Sequence, residues 1–221
     1  MSWQEKTVVL VSRLTAGLLV SLIPVSLPRA QVEALADIPS DFSCTAFPAG
    51  QSEADLVHRY GEENVIHSNL YGSGGPESVT VVFPQHTEVR FEVFWWNTES
   101  RDRPRAVRVQ SEGSQLRTVQ GIAIGDDLQS VEQANGGPFR LNGFAMENPG
   151  AIRSWGNGRL TDDEDDGCTL TIQFVVRYEI DEPTLLSQLK SRQEYSSGHP
   201  AMQGLNPRVG VLWIRYPPPD I

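Results

Sequence analysis

Cysteine is nearly absent from this chain: Cys44 and Cys168 are the only two in 221 residues. Their spacing excludes a C-x-x-C redox pair and a zinc knuckle. No uncharged apolar run reaches the roughly 20 residues of a membrane span. No G-x-S-x-G elbow occurs, so the commonest serine-hydrolase arrangement is missing. Positive charge is in deficit, with 18 Lys+Arg against 28 Asp+Glu and a net charge of −10. A surface of that sign repels phosphate backbones, which argues against nucleic acid as a partner, and anionic membranes are equally poor partners.

What is present begins with a targeting segment. Lys6 and Arg13 precede Leu14–Val25, an apolar stretch of about a dozen residues. That length fits the core of a secretory signal. Ala34-Leu35-Ala36 supplies an A-x-A cleavage pattern, with Ala30 and Ala34 as alternative cleavage points. Residues 1–36 therefore read as a signal peptide, the alternative being an uncleaved anchor from Thr7 to Val25. Arg13 lies inside that alternative span, where a charge is costly. Asp41-Phe42-Ser43 before Cys44 is not a lipoprotein box. Removal of residues 1–36 takes away Lys6, Arg13 and Arg29 against Glu5 and Glu33, leaving −11. The expected location is periplasmic or secreted. There the two cysteines would most simply pair with each other, the alternative being two buried thiols.

The remaining chain repeats itself. Ala49–Gly61 aligns without a gap on Ile124–Gly136, at a constant offset of 75 residues. Each copy has a Gly, a polar helix start, an apolar helix position and a closing Gly, followed by strand-like sequence. Ser52, with Asp55 three residues on, predicts a capping box. Asp126 or Asp127 caps the second helix. After each helix comes a meander of strands. In the first copy they are Val65-Ile66, Val79–Phe83, Glu88–Trp96 and Ala106–Gln110. In the second they are Phe139–Phe144, Ala151–Trp155, Thr169–Tyr178 and Val209–Tyr216, with a short helix at Pro183–Arg192. The expected fold class is α+β: two tandem modules, 37–112 and 113–221, each with one or two short helices on an antiparallel sheet.

A Gly, a short capped helix, a closing Gly and a strand meander, given twice at Gly50–Gly61 and Gly125–Gly136, resembles the repeat of β-lactamase inhibitor proteins. It is similar also to the SmpA/OmlA type of outer-membrane assembly lipoprotein. The resemblance implies an exported α+β protein that acts by protein contact without a cofactor. The missing lipobox and the missing second cysteine in each module keep the specific targets of those families from being carried over.

Candidate chemistry is sparse. His67, His86 and Glu88 could meet as a metal or acid–base site, and Ser196 or Ser197 lies near His199. Either set would make the protein a hydrolase of envelope material. Asp162-Asp163-Glu164-Asp165-Asp166-Gly167 approaches the start of a calcium loop, with Asp162, Glu164 and Asp166 as ligands. Position twelve would be Gln173 where a bidentate Glu is needed. The calcium reading predicts a structural protein stabilised by the ion. The same acidic run could steer a basic partner.

The aromatic residues carry the leading expectation. Trp95, Trp96, Trp155, Trp213 and Tyr216 fall on predicted strands. Neighbours on a strand point to opposite faces, so of Trp95 and Trp96 one enters the core and the other faces outward. Phe94, Trp95, Trp96 and Trp155 are the candidate binding residues on a sheet face. The expected function is a non-enzymatic protein-binding or inhibitor-like module, with no cofactor and another protein as partner.

Overall fold

A computed structural model describes residues 38–39, 41–72, 75–161, 164–165, 167–176, 183–190 and 193–219. The signal-peptide reading at 1–36 lies outside them. The elements run α1 (Glu53–Tyr60), β1 (Val65–Gly72), β2 (Gly75–Val82), β3 (Phe91–Trp95) and β4 (Pro104–Val109). Then come α2 (Leu128–Asn135), β5 (Arg140–Asn142), β6 (Ile152–Ser154), β7 (Glu164–Asp165) and β8 (Cys168–Val175). The chain closes with α3 (Pro183–Leu189), β9 (Glu194–Ser196), α4 (Pro200–Leu205) and β10 (Arg208–Arg215). The class is α+β, as expected. None of these helices is long and apolar enough to cross a membrane.

The repeated segments form matching helices. α1 and α2 have eight residues each and begin and end 75 positions apart. Ser52 accepts from the Asp55 N–H while the Asp55 carboxylate accepts from the Ser52 N–H, completing the capping box. The bonds that the Ser52 hydroxyl and then its N–H donate to the Asp55 carboxylate hold that group below its ordinary pKa. Asp127 caps α2 by accepting from the Ser130 N–H, and that bond lowers its pKa as well. Gly136 ends α2 at φ 80°, the left-handed conformation that favours glycine there.

Beyond the helices the two copies diverge. One seven-stranded antiparallel sheet runs in the order β1-β2-β3-β4-β10-β8-β7. It takes its first four strands from the first half and the rest from the second. The C-terminal strand β10 lies between β4 and β8 and joins the halves. β5 and β6 leave this sheet and form a small second one with β9, in the order β6-β5-β9. β1 is far longer than the dipeptide Val65-Ile66, pairing with β2 over eight consecutive positions from Val65↔Val82 to Gly72↔Gly75. His67, Ser68 and Asn69 dilute its apolar pattern, which an edge strand tolerates because much of it meets water.

All the described helices pack on one side of the large sheet. Leu56 and Tyr60 of α1, Leu128 and Val131 of α2, Leu186 and Leu189 of α3, and Met202 of α4 share a single core with Phe91, Val93, Val107, Ile172, Phe174 and Leu212. Tyr60, Phe83 and Phe91 meet edge to face, with ring centroids 5.1 to 6.0 Å apart. The Tyr216 hydroxyl donates to the carbonyl of Phe47, tying the end of the chain to its first described segment. Cys44 and Cys168 form a disulfide across 124 residues, with Cα atoms 5.9 Å apart.

Candidate functional site

Among the described residues, no helix packs on the opposite face of the large sheet. Its pattern follows from strand alternation. On β8, Leu170, Ile172 and Phe174 point into the core, so Thr169, Thr171 and Gln173 point out. On β10, Leu212 and Ile214 go in, and Trp213 and Arg215 come out. The cross-strand registers then align two outward rows. One runs Ser68–Val79–Phe94–Ala106–Arg215–Thr169. The other runs Ile66–Val81–Glu92–Arg108–Trp213–Thr171.

Val79, Val81, Phe94 and Ala106 form a small apolar cluster on this face, with Leu70 and Trp213 packed against it. The Phe94 and Trp213 rings lie 5.3 Å apart. Arginines brace them. The Arg108 guanidinium sits 5.0 Å from the Phe94 centroid and 5.1 Å from that of Trp213. Arg215 stacks on Trp213 at 4.7 Å, and Arg105 lies 5.8 Å from Phe94. Such cation–π contacts hold both partners in place.

Glu92 is buried beneath this layer. Its carboxylate meets Arg108 at 2.6 Å and Arg90 at 3.0 Å, and the Gln110 amide donates to it at 3.4 Å. A buried charge with that many partners is a fixed part of the structure. Arg105 pairs with Glu77. Each of these three arginines is matched by a carboxylate of the same face. The face therefore presents guanidiniums over aromatic rings in a chain that is acidic as a whole. A cleft of about 650 Å³ lies at one end, lined in part by Gln110, Ile124, Leu205 and Gly210.

The four binding candidates separate. Phe94 lies on the outward side of the sheet but is only 3% exposed, beneath Arg105 and Arg108. Trp95 is only 4% exposed and belongs to the core; its indole N–H donates to the Thr80 hydroxyl at 2.8 Å. Trp155 is buried too, 5.6 Å from the Phe139 ring. Both are framework residues, since a strand Trp with an inward position and a polar partner completes a core. Trp96, one position beyond β3, is 40% exposed and borders a cavity of about 480 Å³ with Asn97, Arg103, Pro218 and Pro219. Trp213 and its arginines are the residues that sequence reasoning passed over as a site. Their signal was Trp213-x-Arg215 beside Ala106-x-Arg108, a period of two on two strands whose pairing the sequence does not reveal. A second signal was composition: 16 of the 18 basic residues are arginine.

The catalytic candidates do not assemble. Ser197 is buried, accepts from the Phe139 N–H at 2.9 Å and donates to Glu132. His199 caps α4, its Nδ1 accepting from the Ala201 N–H at 3.1 Å. Ser196 accepts from the Gly198 N–H. His67 contacts Glu53 at 3.2 Å, whereas His86 contacts Glu88 at 3.6 Å. Among the described residues no group of three or more His, Cys, Asp or Glu is placed to hold a metal ion. Of the calcium candidates, Asp162 and Asp166 lie outside the described residues, and Glu164 falls on β7. No family model, curated protein or solved structure matches the chain.

Proposed function

We propose that this protein is an exported, non-enzymatic binding module that engages another protein through the outward face of its seven-stranded sheet. The observation that carries this reading is the partly exposed Trp213, braced by the buried Phe94 ring and by arginines on a face that no described helix packs against. Trp and Arg are the residues most enriched at energetic centres of interfaces. Holding their side chains in place beforehand lowers the entropy cost of association. The buried disulfide supports export, since such bonds persist in oxidising compartments. The resemblance to β-lactamase inhibitor proteins points to the same mode of action, contact without a cofactor.

Tagged protein purified from the cells that make it should carry a specific partner. Trp213→Ala should reduce the recovered partner about tenfold or more, the scale of a hot-spot residue. Trp96→Ala, beyond the strand end, should reduce it less. An unchanged melting temperature in Trp213→Ala would show that the fold is kept. Equal recovery of the partner with Trp213→Ala, or no partner at all, would count against the reading.

A further inference from the structure

Arg215 differs from the other arginines of the outward face. Arg90 and Arg108 share Glu92, and Arg105 has Glu77. Arg215 meets no carboxylate among the described residues. Its one polar contact is a long one, Nη2 to Asn148 Oδ1 at 3.4 Å. It is half-buried, its guanidinium lies over the Trp213 ring at 4.7 Å, and Arg105 is close enough to repel it. Burial and that repulsion both push its pKa down, so the charged form is under-compensated where it stands. Across the row, Ala106, Phe94 and Val79 are buried, so the partly exposed ring of Trp213 is the apolar surface beside it.

We infer that Arg215 is the seat for a carboxylate side chain of the partner protein, with the partly exposed Trp213 ring receiving an apolar side chain next to it. This inference rests on the proposed docking face and specifies its chemistry. A stacked guanidinium keeps its N–H edges free and correctly spaced for a two-pronged bond to a carboxylate. Charge complementarity selects the partner: the face has Arg90, Arg105, Arg108 and Arg215 against Glu77, Glu92 and Glu164, the last in register with Thr169. An acidic partner would be drawn to this face and repelled by the rest of the chain, which fixes orientation as well as choice. The acidic run at 162–166 had suggested a basic partner; the outward face selects the opposite sign.

The test uses the full folded chain as bait for a phage-displayed library of random 12-residue peptides. Enriched peptides should carry Asp or Glu beside Phe, Tyr, Trp or Leu. Their affinity should fall about tenfold on Arg215→Ala, and about as much when the peptide's Glu becomes Gln. Arg215→Lys, which keeps the charge and loses the fork, should recover only part of it. Peptides without an acid, peptides indifferent to Arg215→Ala, or failure to enrich any peptide would overturn the inference. Peptides that respond to Trp213→Ala but not to Arg215→Ala would keep the docking face and remove only its acidic partner. Peptides indifferent to both would remove both.

Discussion

Replacing both half-cystines, as Cys44→Ala with Cys168→Ala, should lower stability by nearly 5 kcal/mol. The bond closes a loop of 124 residues, and the chain-entropy account assigns roughly that value to so long a loop. For a chain of this size about 2–4 °C accompany each kcal/mol, so the melting temperature should fall by roughly 10–20 °C. The urea dependence should steepen as well, because an uncrosslinked unfolded chain exposes more surface. The location adds to the effect. Cys44 lies in the segment that docks Phe42 and Phe47 into the core, and Cys168 begins β8, so the bond fixes the start of the first half to the sheet of the second. Thermal and urea unfolding of the double variant check this. A melting temperature within a few degrees of the parent would show that the segment is held by packing alone.

The second large effect should come from a single buried amide. Asn135 ends α2 fully buried. Its Nδ2 donates to the carbonyls of Gly137 at 2.9 Å and Trp155 at 3.0 Å, and its Oδ1 accepts from the Leu160 N–H at 3.1 Å. Asn135→Leu keeps the size, leaves the Gly137 carbonyl and the Leu160 N–H without partners, and leaves the Trp155 carbonyl only its bond from the Gly158 N–H. At about 1–3 kcal/mol for each group left unpaired, with partial relief by relaxation, the loss should be about 2–4 kcal/mol. Gly158→Ala should do comparable damage, because a Cβ there would fall 2.0 Å from Asn135 Oδ1. Gln133→Ala, on the exposed side of the same helix, should change stability by less than about 0.5 kcal/mol. Chemical denaturation of the three variants separates the two sites; equal, small losses in all three would contradict the role given to Asn135.

Asn135 also shows where sequence reading stops. It corresponds to Tyr60 of the first copy, at the constant offset of 75 residues. Tyr60 closes an aromatic cluster and Asn135 staples a loop, so this difference is architectural. The local signals were legible: Ser52 and Asp127 cap as their spacing predicts, the closing glycines end the helices, and β8 alternates as its residues say. Those features depend on neighbours in sequence. The placement of β10 between β4 and β8 depends on pairings about 40 and 105 residues apart, which no local pattern encodes. The site was hidden for the same reason. Trp213, Arg108 and Phe94 become one surface only when those registers are known. Trp95 and Trp155 were visible as strand aromatics, but burial depends on which face the rest of the chain covers.

On the proposed function, the outward sheet face and not the helical side meets a partner. Photo-crosslinking from single positions in the producing cells tests it most directly. A benzophenone amino acid at Ile66 or Thr169 would flank the Phe94–Trp213 rows, and one at Gln133 would sit on the exposed side of α2. The prediction is one discrete adduct, shared by the two sheet positions, absent at Gln133, and lost when Trp213→Ala is added. An adduct formed from Gln133 alone, or equally from all three positions, would contradict it.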